Sequence, residues 1–470
     1  MNEPLEIERQ IFDTLEHGLI KPNIDKIAGL LAQLETCGLA DQERVWVTNQ
    51  IRVAVQKEAE SAVRNNNRIG MVLMATGTGK SKIAVDITAK IINANRFRED
   101  PPKILLVVPT EKLRDEGWKE EFTKWGYGAD YNGYIERTCY ASLNNYKDTI
   151  WDFVIADECH NITENNGVFF ENNIIHSAIA LTATYPKDKI KQQLLTKYHF
   201  EVVYEINLDE AVKLGLVTPY DITVITMPLN SRDKTIRTDY KDKKTGQAKS
   251  FVQTEKEQYD WLTKSYARQP SKEKALKRMR FIYNLKTKTD AIKWVLNNLI
   301  PPEKRTLIFC GSKKQANEVC SYRYYSKPTQ PKKLKAKPTP KAIEKYEIAM
   351  MEYDMAVAEY QGNTSYEAFA NKEIPKMSCV DALNEGHNIP DLDIAGIGQL
   401  NSSDLRLTQR IGRAVRFRPG HTANILIFAV EGTVDMAWVG HATAGLDQSK
   451  IRLVKLADLK EGKETISFDN

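Results

Sequence analysis

The sequence predicts an α/β protein with two parallel-sheet lobes in tandem, a small N-terminal helical segment and a helical insertion in the second lobe. Two observations predict this architecture. Short apolar runs typical of buried strands alternate with helical stretches, and the alternation occurs in two separate blocks of the 470-residue chain. The chain is also too long for one ordinary core, so roughly two to four domains are expected.

Residues 1–44 contain short amphipathic patterns, the second ending at Gly38, and are predicted to form the helical segment. The first lobe is assigned to residues 45–228. Its predicted strands are GMVLMA, KILLVVP, WDFVIADE, AIALTAT and YDITVITM. Residues 229–300 are charged and helical in period and end before two prolines, so they are predicted to be a basic helical connection.

The second lobe is assigned to residues 301–430. Its predicted strands are RTLIFCGS, MSCVDAL, IAGIGQL and ANILIFAV. An insertion at about residues 322–361 combines a Lys/Pro-rich run with a long helical pattern, and could be a strand-separating wedge, a partner-binding arm or a spacer. Residues 431–470 are left as a C-terminal tail.

Positive charge is concentrated in two segments of the chain, residues 232–293 and 327–341. The net charge is +5, but residues 232–293 hold 18 Lys+Arg against 8 Asp+Glu, and residues 327–341 hold no acidic residue. Such concentration suits a polyanion such as nucleic acid, although for the second run a solvated loop is an alternative interpretation.

With no apolar run long enough to span a membrane and no signal-peptide pattern, we expect no membrane partner and a cytoplasmic location, in the host cell if the protein is viral. Six scattered cysteines without a C-x-x-C pair predict reduced thiols.

The stretch MATGTGKSK, residues 74–82, lies between an apolar run and a helical pattern. A loop that wraps a triphosphate needs glycines that turn backbone N–H groups inward, a lysine for the β/γ-phosphates and a hydroxyl for Mg²⁺. The candidate phosphate-binding residues are Thr76, Gly77, Thr78, Gly79, Lys80 and Ser81. The general pattern has glycine where this chain has Met74, and a glycine-rich turn is the plain alternative.

Two adjacent acids end the apolar stretch FVIADECH. Asp157 can reach Mg²⁺ through water, and Glu158 can polarise the water that attacks the γ-phosphate. Further along, QRIGRAVRFRPG places Arg413 and Arg416 on one face of a predicted helix. Such a pair can stabilise transition-state charge on a γ-phosphate across a cleft. An Arg-rich helix can equally be a solvated or nucleic-acid-facing surface, and the order of the motifs decides between these interpretations.

That order resembles superfamily 2 helicases and translocases. The motifs are MATGTGKS, VVPTEKL, DECH, LTAT, LIFCGS, DALNEGHNIP and QRIGRAVR, over about residues 45–430. Within the superfamily, the chain is most similar to the branch of phage UvsW-type helicases and of type I and type III restriction-enzyme motor subunits. The resemblance implies two RecA-like lobes, ATP and Mg²⁺ as cofactors, and Lys80, Asp157, Glu158, Gln409, Arg413 and Arg416 as catalytic residues.

The resemblance also implies roles for residues outside these motif centres. Gln50 would read adenine, and Gly386 and Asn388 would touch nucleotide and tracking strand, although the family usually has Asp at position 388. Thr182 and Thr184 would couple hydrolysis to lobe movement, together with His160, which is expected to point toward Gln409. A histidine merely satisfied within the core remains the alternative for His160.

Nucleic-acid contacts follow from the same resemblance. They are Pro109, Thr110, Lys112 and Ser142 in the first lobe and Gly311 and Ser312 in the second. Val380 stands where many relatives carry a strand-contacting threonine, so that contact is absent from the expected set.

The expected function is that of an ATP-dependent DNA helicase or translocase that remodels branched or forked DNA in replication, recombination or repair. DNA is expected rather than RNA, but an RNA helicase remains an alternative. So does a motor or sensor subunit of a restriction-defence complex. A binding module with dead ATPase chemistry is disfavoured because every hydrolytic position is intact.

Overall fold

The computed structural model describes residues 3–38, 40–95, 97, 99–241, 247–334, 339–380, 392–400, 407, 410–412 and 417–468. The N-terminal helices and the first sheet region comprise α1 Glu3–His17, α2 Ile24–Thr36, α3 Asp41–Asn65, β1 Ile69–Met74, α4 Lys80–Asn95, β2 Ile104–Val108, α5 Trp118–Lys124, α6 Ala129–Asn132, β3 Ile135–Cys139, β4 Ile150–Trp151, β5 Phe153–Asp157, α7 Glu164–Gly167, β6 Ile174–Ile175, β7 Ala178–Thr182, α8 Lys189–Lys197, β8 Val202–Ile206 and α9 Leu208–Lys213.

The second region comprises β9 Tyr220–Met227, β10 Ile236–Lys241, β11 Ala248–Gln253, α10 Glu255–Arg268, α11 Lys272–Tyr283, α12 Lys286–Asn298, β12 Thr306–Phe309, α13 Lys313–Val319, β13 Arg323–Tyr325, α14 Pro340–Glu359, α15 Thr364–Ala370, β14 Lys376–Val380, β15 Ile394–Ile397, β16 Ala423–Val430, α16 Val434–Thr443, β17 Ile451–Lys455 and α17 Leu456–Lys460. None of the helices in the described ranges combines the length and apolarity that a membrane crossing requires.

Two parallel sheets confirm the predicted fold class. The first has the strand order β3-β2-β5-β7-β1-β8, and the second has the order β13-β14-β12-β15-β16-β9-β17. Their central strands are buried along nearly their whole length, as expected when helices cover both faces. The helices α2 and α3 contribute Ile27, Ile51 and Val55 to the same hydrophobic cluster as Val72 and Met74 of the first sheet.

The first correction concerns the strand YDITVITM, which was assigned to the first lobe. It forms β9, which pairs with β16 on one side and β17 on the other in the second sheet. Apolar residues on successive positions indicate a strand buried on both faces, but the pattern carries no information about which sheet the strand joins.

The second correction concerns the connection and the tail, both of which belong to the second lobe. Residues 229–300 hold the antiparallel hairpin β10–β11 as well as three helices, and α12 buries Ala291, Ile292 and Val295 in the second-lobe core. The predicted tail contributes β17 to the edge of the second sheet. The insertion does contain the helix α14, but β13 within the predicted insertion is a strand of the main sheet.

Candidate ATP site and nucleic-acid interface

The phosphate loop connects β1 to α4 at the carboxyl edge of the first sheet. Gly77 and Gly79 have φ values of +90° and +96°, in the region that favours glycine. A Cβ on Gly79 would also lie 2.2 Å from Gln56 Nε2. Glycine at positions 77 and 79 therefore allows the turn that leads into α4. In such a turn, the backbone N–H groups of the loop can face a phosphate.

Lys80 is the first residue of α4, with Ser81 next to it. Its ammonium donates to the carbonyl of Met74 at 2.8 Å, at the end of β1. Burial lowers the pKa of Lys80, whereas the charges of Glu158 and Asp157 raise it. Lys80 is thus near enough to the acidic pair for the charges of Glu158 and Asp157 to act on it.

The acidic pair lies at the end of β5, two strands from β1 in the same sheet. Asp157 Oδ2 accepts a hydrogen bond from the indole of Trp118 at 2.9 Å. Glu158 has φ +49°, a left-handed conformation that is uncommon for a residue with a side chain. Asn161 Nδ2 donates to the Glu158 carbonyl at 3.0 Å and so supports this turn.

His160 connects the acidic pair to the end of β7. Its Nδ1 lies 3.2 Å from Thr182 Oγ1 and 3.4 Å from Glu158 Oε2. The hydroxyl of Thr182 in turn donates to the Thr184 carbonyl at 3.1 Å. Burial, and secondarily the positive charge of Lys191, lower the pKa of His160 to about 4. A neutral imidazole therefore joins the predicted coupling residues to the predicted base at neutral pH.

Two side chains at this site, Gln56 and Trp118, are not predicted from the sequence. Gln56 lies on α3, and its amide reaches the carbonyls of Thr78 and Gly79 at 3.5 and 3.4 Å. Gln50, the predicted adenine reader, is half-buried on the same helix. The available signal for Gln56 was a polar amide within the buried stripe of α3, between Val55 and Ala59, where it needs a hydrogen-bond partner. Trp118 had no such signal, because a tryptophan in an amphipathic segment predicts only core packing.

The second lobe reaches the phosphate loop through Gly412. A Cβ on Gly412 would lie 2.5 Å from the Cβ of Thr76, so the two backbones approach closely. Arg410 is buried in the second lobe, where its guanidinium donates to the Gln399 carbonyl and lies 5.0 Å from the Phe309 ring. The predicted residues Gly386, Asn388, Gln409, Arg413 and Arg416 lie outside the described residues.

The predicted nucleic-acid residues of the first lobe share one edge of its sheet. Pro109, Thr110 and Lys112 follow β2, and Ser142 follows the neighbouring strand β3. Lys112 is exposed and lies 5.5 Å from the ring of Tyr366, which belongs to α15 of the second lobe.

In the second lobe, Gly311 and Ser312 connect β12 to α13. Ser312 caps that helix by accepting from the Gln315 N–H at 3.1 Å. Gly311 has no room for a side chain, since a Cβ there would lie 2.5 Å from the Cβ of Tyr283. The two residues thus hold a backbone turn at the carboxyl edge of the second sheet.

Comparison with solved structures gives distant similarities. LlaBIII, an ATP-dependent Type ISP restriction-modification enzyme bound to DNA, is 14% identical over 86% of this chain and 32% of that chain, with a TM-score of 0.47. A putative HsdR subunit fragment of a type I restriction enzyme from Vibrio vulnificus is 15% identical over 86% and 68%, with a TM-score of 0.47. S. cerevisiae Dbp5 bound to RNA and ADP BeF3 is 11% identical over 87% and 91%, with a TM-score of 0.48.

These three similarities are too distant to assign a residue or a substrate. The chain spans about a third of the length of LlaBIII and about two thirds of the HsdR fragment. No curated protein sequence matches it.

Family models give the stronger comparison. The model described as "Type III restriction enzyme, res subunit" matches residues 46–187, and the "Helicase conserved C-terminal domain" matches residues 288–418. The first range covers the phosphate loop, the acidic pair, and His160 with its partner Thr182. The second covers β12 to β15 and the segment that reaches Thr76. Matched in this order to the two parallel-sheet lobes, the two models identify the chain as a member of the superfamily 2 helicases, with a restriction-enzyme-like first lobe.

Proposed function

We propose that the chain is an ATP-driven motor that moves on DNA and remodels branched or forked substrates. The observation that carries the proposal is the position of the phosphate loop. It lies in the electrostatic site of Asp157 and Glu158 and is contacted at Thr76 by Gly412 of the second lobe. A hydrolytic site built from two lobes makes turnover depend on how the lobes meet.

The residues around the loop have complementary roles in this proposal. Lys80 meets the β/γ-phosphates, and Glu158 accepts the proton of the attacking water. Mg²⁺ is usually held by one or two carboxylates together with substrate phosphates, so Asp157 and the Ser81 hydroxyl fit it. When bound, that ion would neutralise phosphate charge. Arg413 and Arg416, close after Gly412 in the sequence, would stabilise charge at the γ-phosphate from the second lobe.

Coupling to movement would run through His160. Its contacts with Glu158 and Thr182 connect the proposed base to the loop that contains Thr184. Closure on ATP binding and opening after hydrolysis would then move Lys112 relative to Ser312 along the phosphates of one strand. Binding through phosphates rather than bases makes affinity fall steeply with salt.

A lysine substitution tests the motor directly. Lys80→Ala should abolish nucleic-acid-stimulated ATP hydrolysis, because no other side chain of the loop can carry the phosphate contact. Lys82→Ala is the matched control, since Lys82 lies in the same helix and pairs with Asp86. Full stimulated turnover by Lys80→Ala would overturn the proposed site.

The choice of DNA rests on the first-lobe family model, which is named for a restriction enzyme, a class that acts on DNA. ATPase stimulation and strand displacement should be measured on forks, Holliday junctions, blunt duplex, single strands and RNA hybrids. We expect the strongest response to branched DNA. Activation by RNA alone would instead establish an RNA helicase.

A second candidate function is favoured by the same match. The chain would be the motor or sensor subunit of a restriction-defence complex, since the matching model describes one subunit of such an enzyme. Co-purification from the native source with a partner that carries nuclease or methylase activity would support this function. Full fork remodelling by the isolated chain would favour the first proposal.

A further inference from the structure

The inference concerns the helix α11 and its contact with the turn at Gly311 and Ser312. Asn284 caps the carboxyl end of α11, and its Oδ1 accepts from the Ser312 hydroxyl at 2.6 Å. Tyr283, the last residue of the helix, packs against Gly311 so closely that a Cβ there would lie 2.5 Å away. The end of α11 and the proposed second-lobe phosphate contact are therefore one surface.

A row of polar side chains leads away from this point along α11. Lys277, Arg280 and Asn284 are spaced three and four residues apart, so they lie on one helix face. All three are exposed. At about 1.5 Å of rise per residue, the steps between them are about 4.5 and 6 Å. A nucleic-acid strand carries one charge per about 3.4 Å in a duplex, so each step is on the scale of one or two phosphates.

Two other basic residues of α11, Lys274 and Arg278, contact the neighbouring helix α10. Lys274 donates to the Ser265 carbonyl at 3.0 Å, and the Arg278 guanidinium lies 4.7 Å from the Tyr266 ring, so both hold α11 against α10. Lys277 differs, because its only described ion pair is with Glu273 on the same exposed helix face, at 2.9 Å. An exposed pair of this kind is worth little and exchanges readily for a phosphate.

We infer that Lys277 and Arg280 form a phosphate-binding track that extends the strand path from Ser312 along α11. The inference deepens the proposed function, because it rests on Ser312 contacting nucleic acid. Its ligand is the sugar-phosphate backbone of one strand, held without base readout. Part of the positive charge of residues 232–293 would then serve to bind phosphates, at the exposed face of α11 in the second lobe.

The test is binding of a fluorescently labelled single-stranded oligonucleotide, without ATP, across 50–200 mM salt. Removing two phosphate contacts should reduce the slope of log affinity against log salt by about 1.4 for Lys277→Gln/Arg280→Gln. The control Lys26→Gln/Lys57→Gln removes two exposed charges from α2 and α3 and should leave the slope unchanged. Lys277→Arg/Arg280→Lys should retain the slope, and the unfolding midpoint of each variant should match the parent. DNA and RNA oligonucleotides should behave alike in the slope change.

An unchanged slope in Lys277→Gln/Arg280→Gln, or an equal loss in the control, would overturn the track. Because the measurement uses no ATP, it separates this inference from the motor. A parent protein without stimulated ATPase, whose binding still depends on Lys277 and Arg280, would reject the motor and keep the track.

Discussion

Gly79 carries two constraints that act together in the phosphate loop. Its φ of +96° suits glycine, and its missing side chain leaves room for the Gln56 amide over the loop. The amide in turn reaches the loop carbonyls, which keeps the opposite N–H edge free to face phosphates. The conformation of the loop is thus stabilised by the Gln56 amide of α3 as well as by its own glycines.

Gly79→Ala should destabilise the fold by about 1–2 kcal/mol, because an L-residue in a left-handed conformation is strained. It should also weaken ATP binding, since the Gln56 side chain must move. Gly29→Ala is the control: that glycine lies within α2 with no atom near an added Cβ, so alanine should stabilise by about 1 kcal/mol. Urea unfolding and nucleotide titration measure both effects, and wild-type values for Gly79→Ala would contradict the account.

His160 should make stability depend on pH. Its pKa of about 4 lies below the ordinary value of 6.5, so the unfolded chain binds a proton more readily than the folded protein between these pH values. The free energy of unfolding should therefore fall as the pH is lowered from 6.5 to 4, by up to about 3 kcal/mol from this residue. His160→Gln should show a smaller fall in urea titrations. Parallel pH profiles for the two proteins would contradict it.

At the level of single residues, the motifs predicted which side chains could bind phosphate and hydrolyse ATP. They did not predict the neighbouring side chains that hold those residues in place. Lys80 and the acidic pair could be found because phosphate binding and hydrolysis require particular residue types at fixed spacing. Trp118 could not be found, because its contact with Asp157 joins residues 39 positions apart and depends on the sheet order. The roles of Gln409, Arg413 and Arg416 stay predictions.

A buried ion pair joins two helices of the second lobe. Lys288 of α12 donates to Asp435 of α16, and both side chains are fully buried. Asp435 also accepts from the Val430 N–H at 3.2 Å, and Lys288 also donates to the Gly398 carbonyl at 3.3 Å. The pair thereby fixes α12, which sequence analysis placed in a connection, onto the end of the second sheet.

Lys288→Met should cost about 3–5 kcal/mol in unfolding free energy, because Asp435 is left as an uncompensated buried charge. Lys288→Met/Asp435→Leu should recover part of this loss. The control is Lys286→Met, which removes an exposed pair with Asp290 one helix turn away and should cost less than about 0.5 kcal/mol. Chemical denaturation compares the three proteins, and equal losses for Lys288→Met and Lys286→Met would refute the role of the pair.

Sequence periodicity identified the central strands of both main sheets but assigned β9 to the wrong sheet. Pairing partners are set by long-range hydrogen bonds, here to residues near positions 425 and 453, and periodicity records only which faces are buried. The edge strands β3, β8, β13 and β17 were missed for a related reason. Their side chains are partly exposed or polar, so their apolar signal is weak.

Gly412 of the second lobe lies close to Thr76 of the phosphate loop, since an added Cβ there would be 2.5 Å from the Thr76 Cβ. Such an approach depends on the absence of a side chain at Gly412. Phosphate binding by the first lobe alone does not need it, whereas hydrolysis shared between lobes does.

Gly412→Ala should therefore reduce ATP turnover by about 10²-fold, the cost of an ångström-scale misplacement, with a smaller effect on ATP binding. Gly440→Ala in α16 is the control, because an added Cβ there meets no atom within 4 Å. Steady-state ATPase assays and nucleotide titration separate the two effects. Normal turnover in Gly412→Ala would show that hydrolysis does not require this contact.

The position of β9 has a consequence for the order of events during synthesis. Thr226 of β9 bonds to Glu431, 205 residues later in the chain. At about 5–20 residues per second, a ribosome needs about 10–40 s to make that partner. The first sheet can be completed during this interval. The strongly apolar strand β9 has by then been made, but its neighbouring strands have not. The nascent chain therefore passes through a stage in which the apolar residues of β9 lack both of their partner strands, β16 and β17.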